Sequence, residues 1–158
     1  MATTHLKING IDGDSVATGY EDQIDCDSWN WGASQAANMH VATGGAAGGS
    51  TVNDIAVTKS MDKASPNLMK YCCEGKHIDE VVMTCTKSGG GQIKWLEITM
   101  KRVIISSVQF SGQEGSQGQE AVTLNFGEYM MKFFPQGDDG SEGASIDAGY
   151  NISTQMGV

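Results

Sequence analysis

Only one stretch of this chain carries the punctuation of a helix, and it decides what the rest can fold into. Between Val57 and Lys87 the sequence reads VTKSMDKASPNLMKYCCEGKHIDEVVMTCTK. Ser65 has the side chain of an N-cap, Pro66 suits the first helical position, and Gly75 suits a left-handed C-terminal residue. Lys76 and His77 then meet the negative end of the helix dipole. Leu68, Tyr71 and Cys72 share one face at i, i+3, i+4 spacing. A helix of roughly nine residues is not stable alone in water. It needs a dock. Thr58 to Met61 before it and Val81 to Thr86 after it read as strands, so the dock is a sheet and the helix is a crossover at the end of a β-domain.

The remaining segments fit strands joined by glycine-rich loops. Twenty-one glycines against two prolines supply the turns. Leu6 and Ile8 alternate in a first strand, and Asn9 to Ser15 has turn chemistry. From Gln23 to Ser34 the apolar positions change parity: Ile24 and Cys26 are even, Trp29 and Trp31 odd. Alternation cannot survive that change, so a β-bulge is expected near Asp27-Ser28, with both tryptophans in the core and Asn30 on the opposite face. Met39 to Val41 is a short extended candidate. Thr43 to Thr51 offers almost no side chain to pack and reads as a mobile projecting loop; its glycines lack the Lys-Ser/Thr and the helix that a phosphate cradle needs. Asp54 to Lys59 leads into the helix.

After the helix, Val81, Met83 and Cys85 line one strand face, and Ser88 to Gly91 makes a hairpin loop. Ile93 to Phe110 is long and apolar. Leu96, Ile98 and Met100 lie on one parity and Val103 and Ile105 on the other, which predicts a bend or bulge near Lys101-Arg102. Ser111 to Gln119 is a second flexible loop. Val122, Leu124 and Phe126 begin the next strand, which changes parity at Gly127 to present Tyr129, Met131 and Phe133. Gln136 to Gly149 reads as an acidic loop and Tyr150 to Ser153 as a short last strand. About seven or eight strands with one helix make an all-β domain, a small closed barrel or sandwich. Residues 1–158 are expected to form one domain, with Trp29, Trp31, Leu68, Val81 and Met83 in its core.

Chemistry is sparse. A net charge of −9 with scattered basic residues argues against nucleic acid. His5, His40 and His77 lie in different segments without metal-ligand spacing, and Asp138, Asp139, Glu142 and Asp147 lack the order of a calcium loop. No G-x-S-x-G elbow and no C-x-x-C occurs. Cys26, Cys72, Cys73 and Cys85 are expected as free thiols. No catalytic residue, cofactor or metal is expected. No apolar run is long enough to cross a membrane, and the N-terminal MATTHLKING has no apolar signal-peptide core. A soluble β-domain that is not an enzyme is as far as these features lead.

Several blocks carry a resemblance. DSWNWGASQ (Asp27 to Gln35), the glycine-rich loop running into VNDIAVTKSMDKASPNLM (Val52 to Met69), GKHIDEV (Gly75 to Val81), ITMKRVIISSV (Ile98 to Val108) and EAVTLNF (Glu120 to Phe126) resemble the haemolysin-coregulated protein family, the tube subunits of the bacterial type VI secretion system. The resemblance covers nearly the whole chain in order, and Thr58 to Met69 is its most specific part. Asp14 departs from it, standing where the family often has Glu. The loops at 111–119 and 137–149 carry nothing over.

The resemblance implies a tail-tube-like closed barrel with one helix, six copies forming a ring, and rings stacking into a hollow tube inside a contractile sheath. The partners it implies are the chain itself, sheath and spike proteins, and effectors held in the lumen. It implies assembly in the cytoplasm and export without a cleaved signal peptide. A phage-type tail-tube protein and a monomeric β-barrel binding module are the alternatives. On this basis Asn30 is the candidate lumen residue. Gly44, Gly45, Ala46, Ala47, Gly48, Gly49 and Ser50 are the candidates for ring stacking.

Overall fold

The computed structural model describes residues 3–38, 46–88, 92–136 and 143–158, with side chains for all of these except residues 37, 38, 46–48 and 88. In chain order the strands before the helix are β1 (Thr4–Ile8), β2 (Ile24–Cys26), β3 (Ser28–Asn30), β4 (Ala33–Asn38), β5 (Ala46–Val52) and β6 (Ile55–Ser60). Helix α1 (Ser65–Glu74) follows, then β7 (Ile78–Ser88), β8 (Gln92–Ser111), β9 (Gln119–Phe133), β10 (Ile146–Asn151) and β11 (Met156–Gly157). The expectation of seven or eight strands undercounts them. The chain is mostly β with one short helix, as its sequence indicates.

The strand pairings close on themselves. β9 pairs β8, β8 pairs β7, β7 pairs β1 and β1 pairs β2, all antiparallel. One residue, Asp27, separates β2 from β3; β3 pairs β6, and β6 returns to β9. The parity change in this segment is therefore not a bulge. It is a transfer from one partner to another: Ile24 and Cys26 lie in register with β1, whereas Ser28 to Asn30 lie in register with β6. The Asp27 amide donates to the Thr58 carbonyl across the change (2.7 Å). Closure removes the edges that this part of the sheet would otherwise present to other chains, whereas β10 continues the sheet beyond β9.

The barrel interior holds the apolar positions that alternation selects. Leu6, Ile8, Ile24, Ile55, Val57, Val81, Met83, Leu96, Ile98, Met100, Val103, Ile105, Val122 and Leu124 are all buried there. Leu68 brings α1 onto this core. Trp29 and Trp31 pack against the core but are only half-buried, a correction to their expected place inside it. β8 and β9 change parity together. Arg102 adopts φ +55 in the middle of β8, near Gly127 of β9, so Val103 and Phe126 point inward on one side of the switch and Met100 and Tyr129 share a face on the other. A Cβ on Gly127 would meet the Arg102 guanidinium at 2.8 Å, so the arginine lies over a residue that has no side chain to displace it.

The C-cap behaves as its sequence indicates. Gly75 is left-handed, its amide donates to the Cys72 carbonyl, and the Lys76 amide donates to the Tyr71 carbonyl. The N-terminus does not. The cap residue is Ala64, and Ser65 lies inside the helix. The Asp62 carboxylate accepts from the Ala64 amide (3.0 Å), while the Ser65 hydroxyl is turned into the core.

Two further segments differ from expectation. Ala46–Val52, expected as part of a mobile loop, is a strand that pairs with β4 in a separate two-stranded sheet. Strand pairing uses only main-chain groups, so the lack of side chains did not prevent it. Ile146–Gly149, expected as loop, belongs to β10. Residues 39–45, 89–91 and 137–142, including the expected extension at Met39 to Val41, lie outside the described residues.

Candidate functional site

Asn30 is exposed, and the strand registers place it in a larger surface. One row runs across four strands through Asn30, Ala56, Thr123 and Ser107; the next runs through Ser28, Thr58, Ala121 and Gln109. These positions alternate with the inward Val57, Val122 and Val108, so they form the outer face of this part of the barrel. Every residue in the two rows is small or uncharged.

The hydroxyls on this face bond to one another and to Asp54. Ser28 and Thr58 share a hydrogen bond. The Thr123 hydroxyl lies 2.7 Å from that of Ser106 and 2.6 Å from that of Ser107. The Asp54 carboxylate beside these rows accepts from the Ser106 hydroxyl (2.6 Å) and the Asn125 amide (2.8 Å). The result is a polar wall with its hydrogen bonds largely made internally.

At the margin of that face the chain leaves the barrel as the β4–β5 hairpin. Trp31 fixes its base. The indole N–H donates to the Asn53 carbonyl (2.9 Å), the Asn53 amide donates to the Gly32 carbonyl, and the ring packs edge-on against Phe126 and Tyr129. Of the candidate stacking residues, Ala46, Ala47, Gly48, Gly49 and Ser50 lie on β5. Gly44 and Gly45 lie outside the described residues. Gly49 takes φ +104, close to a register shift in β4 at Ala36/Ala37.

A buried charged cluster was not anticipated from the sequence. Lys59 and Glu120, opposite one another on β6 and β9, both point inward and are almost fully buried. The Lys59 ammonium donates to Glu120 Oε1 (2.7 Å) and Asp62 Oδ1 (2.9 Å). Ser65 donates to the same Glu120 oxygen (2.6 Å) and accepts from the Asp62 amide (3.0 Å). The network ties the start of α1 to the barrel wall. Its signal was present in the sequence: both residues share the inward parity of their apolar neighbours.

Among the described residues the titratable groups do not converge on a reaction centre. His5 is buried, stacked on Tyr20, with Nδ1 3.0 Å from Asp25 and Nε2 3.1 Å from Gln92. His77 is exposed, and His40 lies outside the described residues. Among the described residues no group of three or more His, Cys, Asp or Glu could hold a metal ion, and no helix is long and apolar enough to cross a membrane. All four cysteines are free. Burial pushes the Cys26 thiol up to about 12, against a smaller lowering by Lys59, and burial also raises Cys85.

A barrel with one docked helix, a hairpin arm and a largely uncharged polar outer face has the build of a structural scaffold. The comparisons with known proteins make the class specific. The family described as "Type VI secretion system effector, Hcp" matches residues 5–133. Protein hcp1 of Pseudomonas aeruginosa is 40% identical over 150 residues, covering 93% of either chain. The crystal structure of Hcp1 from Salmonella typhimurium matches with a TM-score of 0.80 at 30% identity, over 100% of both chains. A structure described as a type six secretion system protein matches at 0.93 with 25% identity, again over 100% of both. The chain belongs to the Hcp family of type VI secretion proteins.

Proposed function

We propose that this chain is the structural subunit of the type VI secretion tube, residues 1–158 acting as one tube domain. Six copies close into a ring, and rings stack into a hollow tube that sheath contraction expels. The small polar face around Asn30 lines the lumen, where effector proteins are held, and the β4–β5 hairpin contacts the next ring. The protein is assembled in the cytoplasm and leaves the cell without a cleaved signal peptide, its partners being sheath, spike and effector proteins. We read it as structural rather than enzymatic, in keeping with its family.

Family membership over most of the chain carries this reading. Two features of the surface support it. The outer rows through Asn30 suit a wall past which other proteins move. On β9 and β10, Phe133 lies opposite Ile146 and Met131 opposite Ala148, and Met131, Phe133 and Ile146 are exposed. Clustered exposed apolar side chains mark contact surfaces. Head-to-tail copies of a contact close into a ring when the rotation permits.

Sedimentation and negative-stain imaging of the purified protein test the proposal. Rings with a central hole and a mass of six subunits are expected. Monomer alone, at micromolar concentration and near-neutral pH, would defeat the ring and favour a monomeric binding module.

A further inference from the structure

The hairpin and one edge of the main sheet are complementary. Among the described residues β4 and β5 pair only with each other, and Ala33–Ala36 and Gly49–Thr51 are exposed. A two-stranded hairpin without a packed face is marginal in water. Natural edge strands are shielded by charge, proline or cover. From Ala33 to Val52 there is no Asp, Glu, Lys, Arg or Pro. The stretch is therefore rich in small, uncharged residues, and the outer edges of its described strands carry no charged side chain or proline.

A second open edge lies elsewhere on the same chain. β10 pairs β9 along its whole length, but on its other side β11 reaches only Tyr150 and Asn151, with Val158 donating to the Gly149 carbonyl. Among the described residues, Ile146, Asp147 and Ala148 have no strand partner on that side. Ile146 is exposed there, and Asp147 stands opposite Lys132 across the ladder, so its charge has an opposite neighbour on the paired side.

We propose that the hairpin adds a strand to the Ile146–Ala148 edge of β10 in a second copy of this chain, so that the contact is made by backbone hydrogen bonds rather than by side-chain recognition. This rests on the tube-subunit reading and specifies how one ring holds the next. Donor and acceptor are different surfaces of one chain, so the contact is heterologous and propagates head-to-tail. Strand addition takes its affinity from main-chain groups and leaves side chains at alternate positions free to vary. It also gives the glycine- and alanine-rich composition a purpose: the small described residues Ala33, Ser34, Ala36, Gly49 and Ser50 leave room for close approach of another backbone.

Cysteine cross-linking and proline substitution test this in the intact protein. In a Cys72→Ser/Cys73→Ser background, Ser34→Cys or Gln35→Cys is combined with Ile146→Cys, Asp147→Cys or Ala148→Cys. On oxidation at least one pair should give a ladder of covalent multimers, while each single substitution gives dimers at most. Successive N–H groups along a strand point to opposite edges, so of Ser34→Pro and Gln35→Pro one removes a free-edge donor and the other disturbs the β5 ladder. The free-edge variant should keep rings and lose stacks, and Ser34→Ala and Gln35→Ala should keep both. Unmodified rings that stack normally, with no ladder from any pair and no stacking defect in either proline variant, would overturn the inference while leaving the tube reading intact. Absence of rings from the unmodified protein would overturn the tube reading itself, and this inference with it. If a proline variant does not fold, the cysteine pairs still decide.

Discussion

Lys59→Met should be among the most damaging single substitutions in this protein. The lysine is enclosed with its partners: 1% of its side chain is exposed, against 0% for Glu120 and 9% for Asp62. Removing the ammonium deletes two short charged hydrogen bonds and leaves the Glu120 carboxylate with only the Ser65 hydroxyl. Glu120 Oε2 already has no hydrogen-bond partner among the described groups, so the carboxylate has no spare donor to turn to. Stranding one member of a buried pair costs about 3–5 kcal/mol. At roughly 2–4 °C per kcal/mol for a domain of this size, the melting temperature should fall by about 6–20 °C. Replacing the pair together, Lys59→Met with Glu120→Leu, removes the desolvated charge as well as its partner and should recover most of the loss. The assay is urea unfolding of wild type, both single variants and the double variant at one fixed subunit concentration, because any self-association adds its own stabilisation. A double-mutant cycle then isolates the coupling. If Lys59→Met costs under about 1 kcal/mol, or the double variant is as damaged as the two single losses added together, the cluster is not a coupled buried network and the reasoning fails.

Thiol labelling of the native protein should modify Cys73 fastest, Cys72 more slowly, and Cys26 and Cys85 only on unfolding, as their exposure dictates; fast labelling of Cys26 in the folded state would contradict its burial. The unfolded Cys26 thiol ionises near 9.0 and the folded one near 12, so this residue's contribution is intact below pH 9 and lost as pH rises toward 12. The slope should be about 1.4 kcal/mol per pH unit, and Cys26→Ala should flatten it. Gly13→Ala would place a Cβ 2.5 Å from the Gln23 carbonyl oxygen, a backbone atom, and should destabilise strongly in thermal melts; a neutral result would show that the 13–23 loop can move freely. Trp31→Phe should lose about 1 kcal/mol with its hydrogen bond to Asn53. Trp29→Ala should cost about 2 kcal/mol, less than a fully buried ring would, and Asn30→Ala should stay within about 0.5 kcal/mol. Equal losses at Trp29 and Asn30 would invert the face assignment.

Alternation was the most informative sequence signal, because a strand in a closed barrel has one apolar side and one open side. It separated Val81, Met83 and Cys85 from their neighbours and located the parity switch at Lys101-Arg102 and Gly127. It also contained the Lys59–Glu120 pair, since an inward lysine between Val57 and the helix calls for an inward acid, yet the acid lies far off in sequence and pairing is not local. Ser65 was misread for a related reason. Its position before Pro66 has the pattern of a cap, but Glu120 and the Asp62 amide claim its hydroxyl. The parity change at Asp27 was visible, and its cause was not, because exchanging one partner strand for another leaves the same trace as a bulge. The hairpin was missed because Ala, Gly and Ser give no hydrophobic period, while the hydrogen bonds that form its strands belong to the backbone. The face around Asn30 was only partly legible: one residue fixed its side, but the rows through Thr58, Ala121, Thr123 and Ser107 exist only once β3, β6, β8 and β9 are in register.

Those rows bear on what the proposed lumen would do to a protein passing through it. A hydroxyl proton already given to a neighbouring side chain is not available to a stranger, although the oxygen can still accept. Ser106, Ser107 and Thr123 are in that condition: Ser106 donates to Asp54, so the bonds of Thr123 with Ser106 and Ser107 use the two remaining protons, whereas the single bond between Ser28 and Thr58 leaves one proton free. The same rows expose little apolar area, since Ala56 and Ala121 are their largest purely hydrocarbon members, and the one carboxylate near them is already held by two donors. Apolar burial and charge pairing, the two strong sources of affinity, are thus both weak on this wall. Weak, evenly spread contact suits the proposed lumen role, in which cargo is held loosely and released. The strong interactions are elsewhere: Lys59 and Glu120 inside the barrel wall, the apolar cluster on β9 and β10, and the unshielded backbone of the β4–β5 arm. On the proposed reading, stability, assembly and passage draw on different residues, so substitutions on the Asn30 face should alter cargo retention without altering the fold.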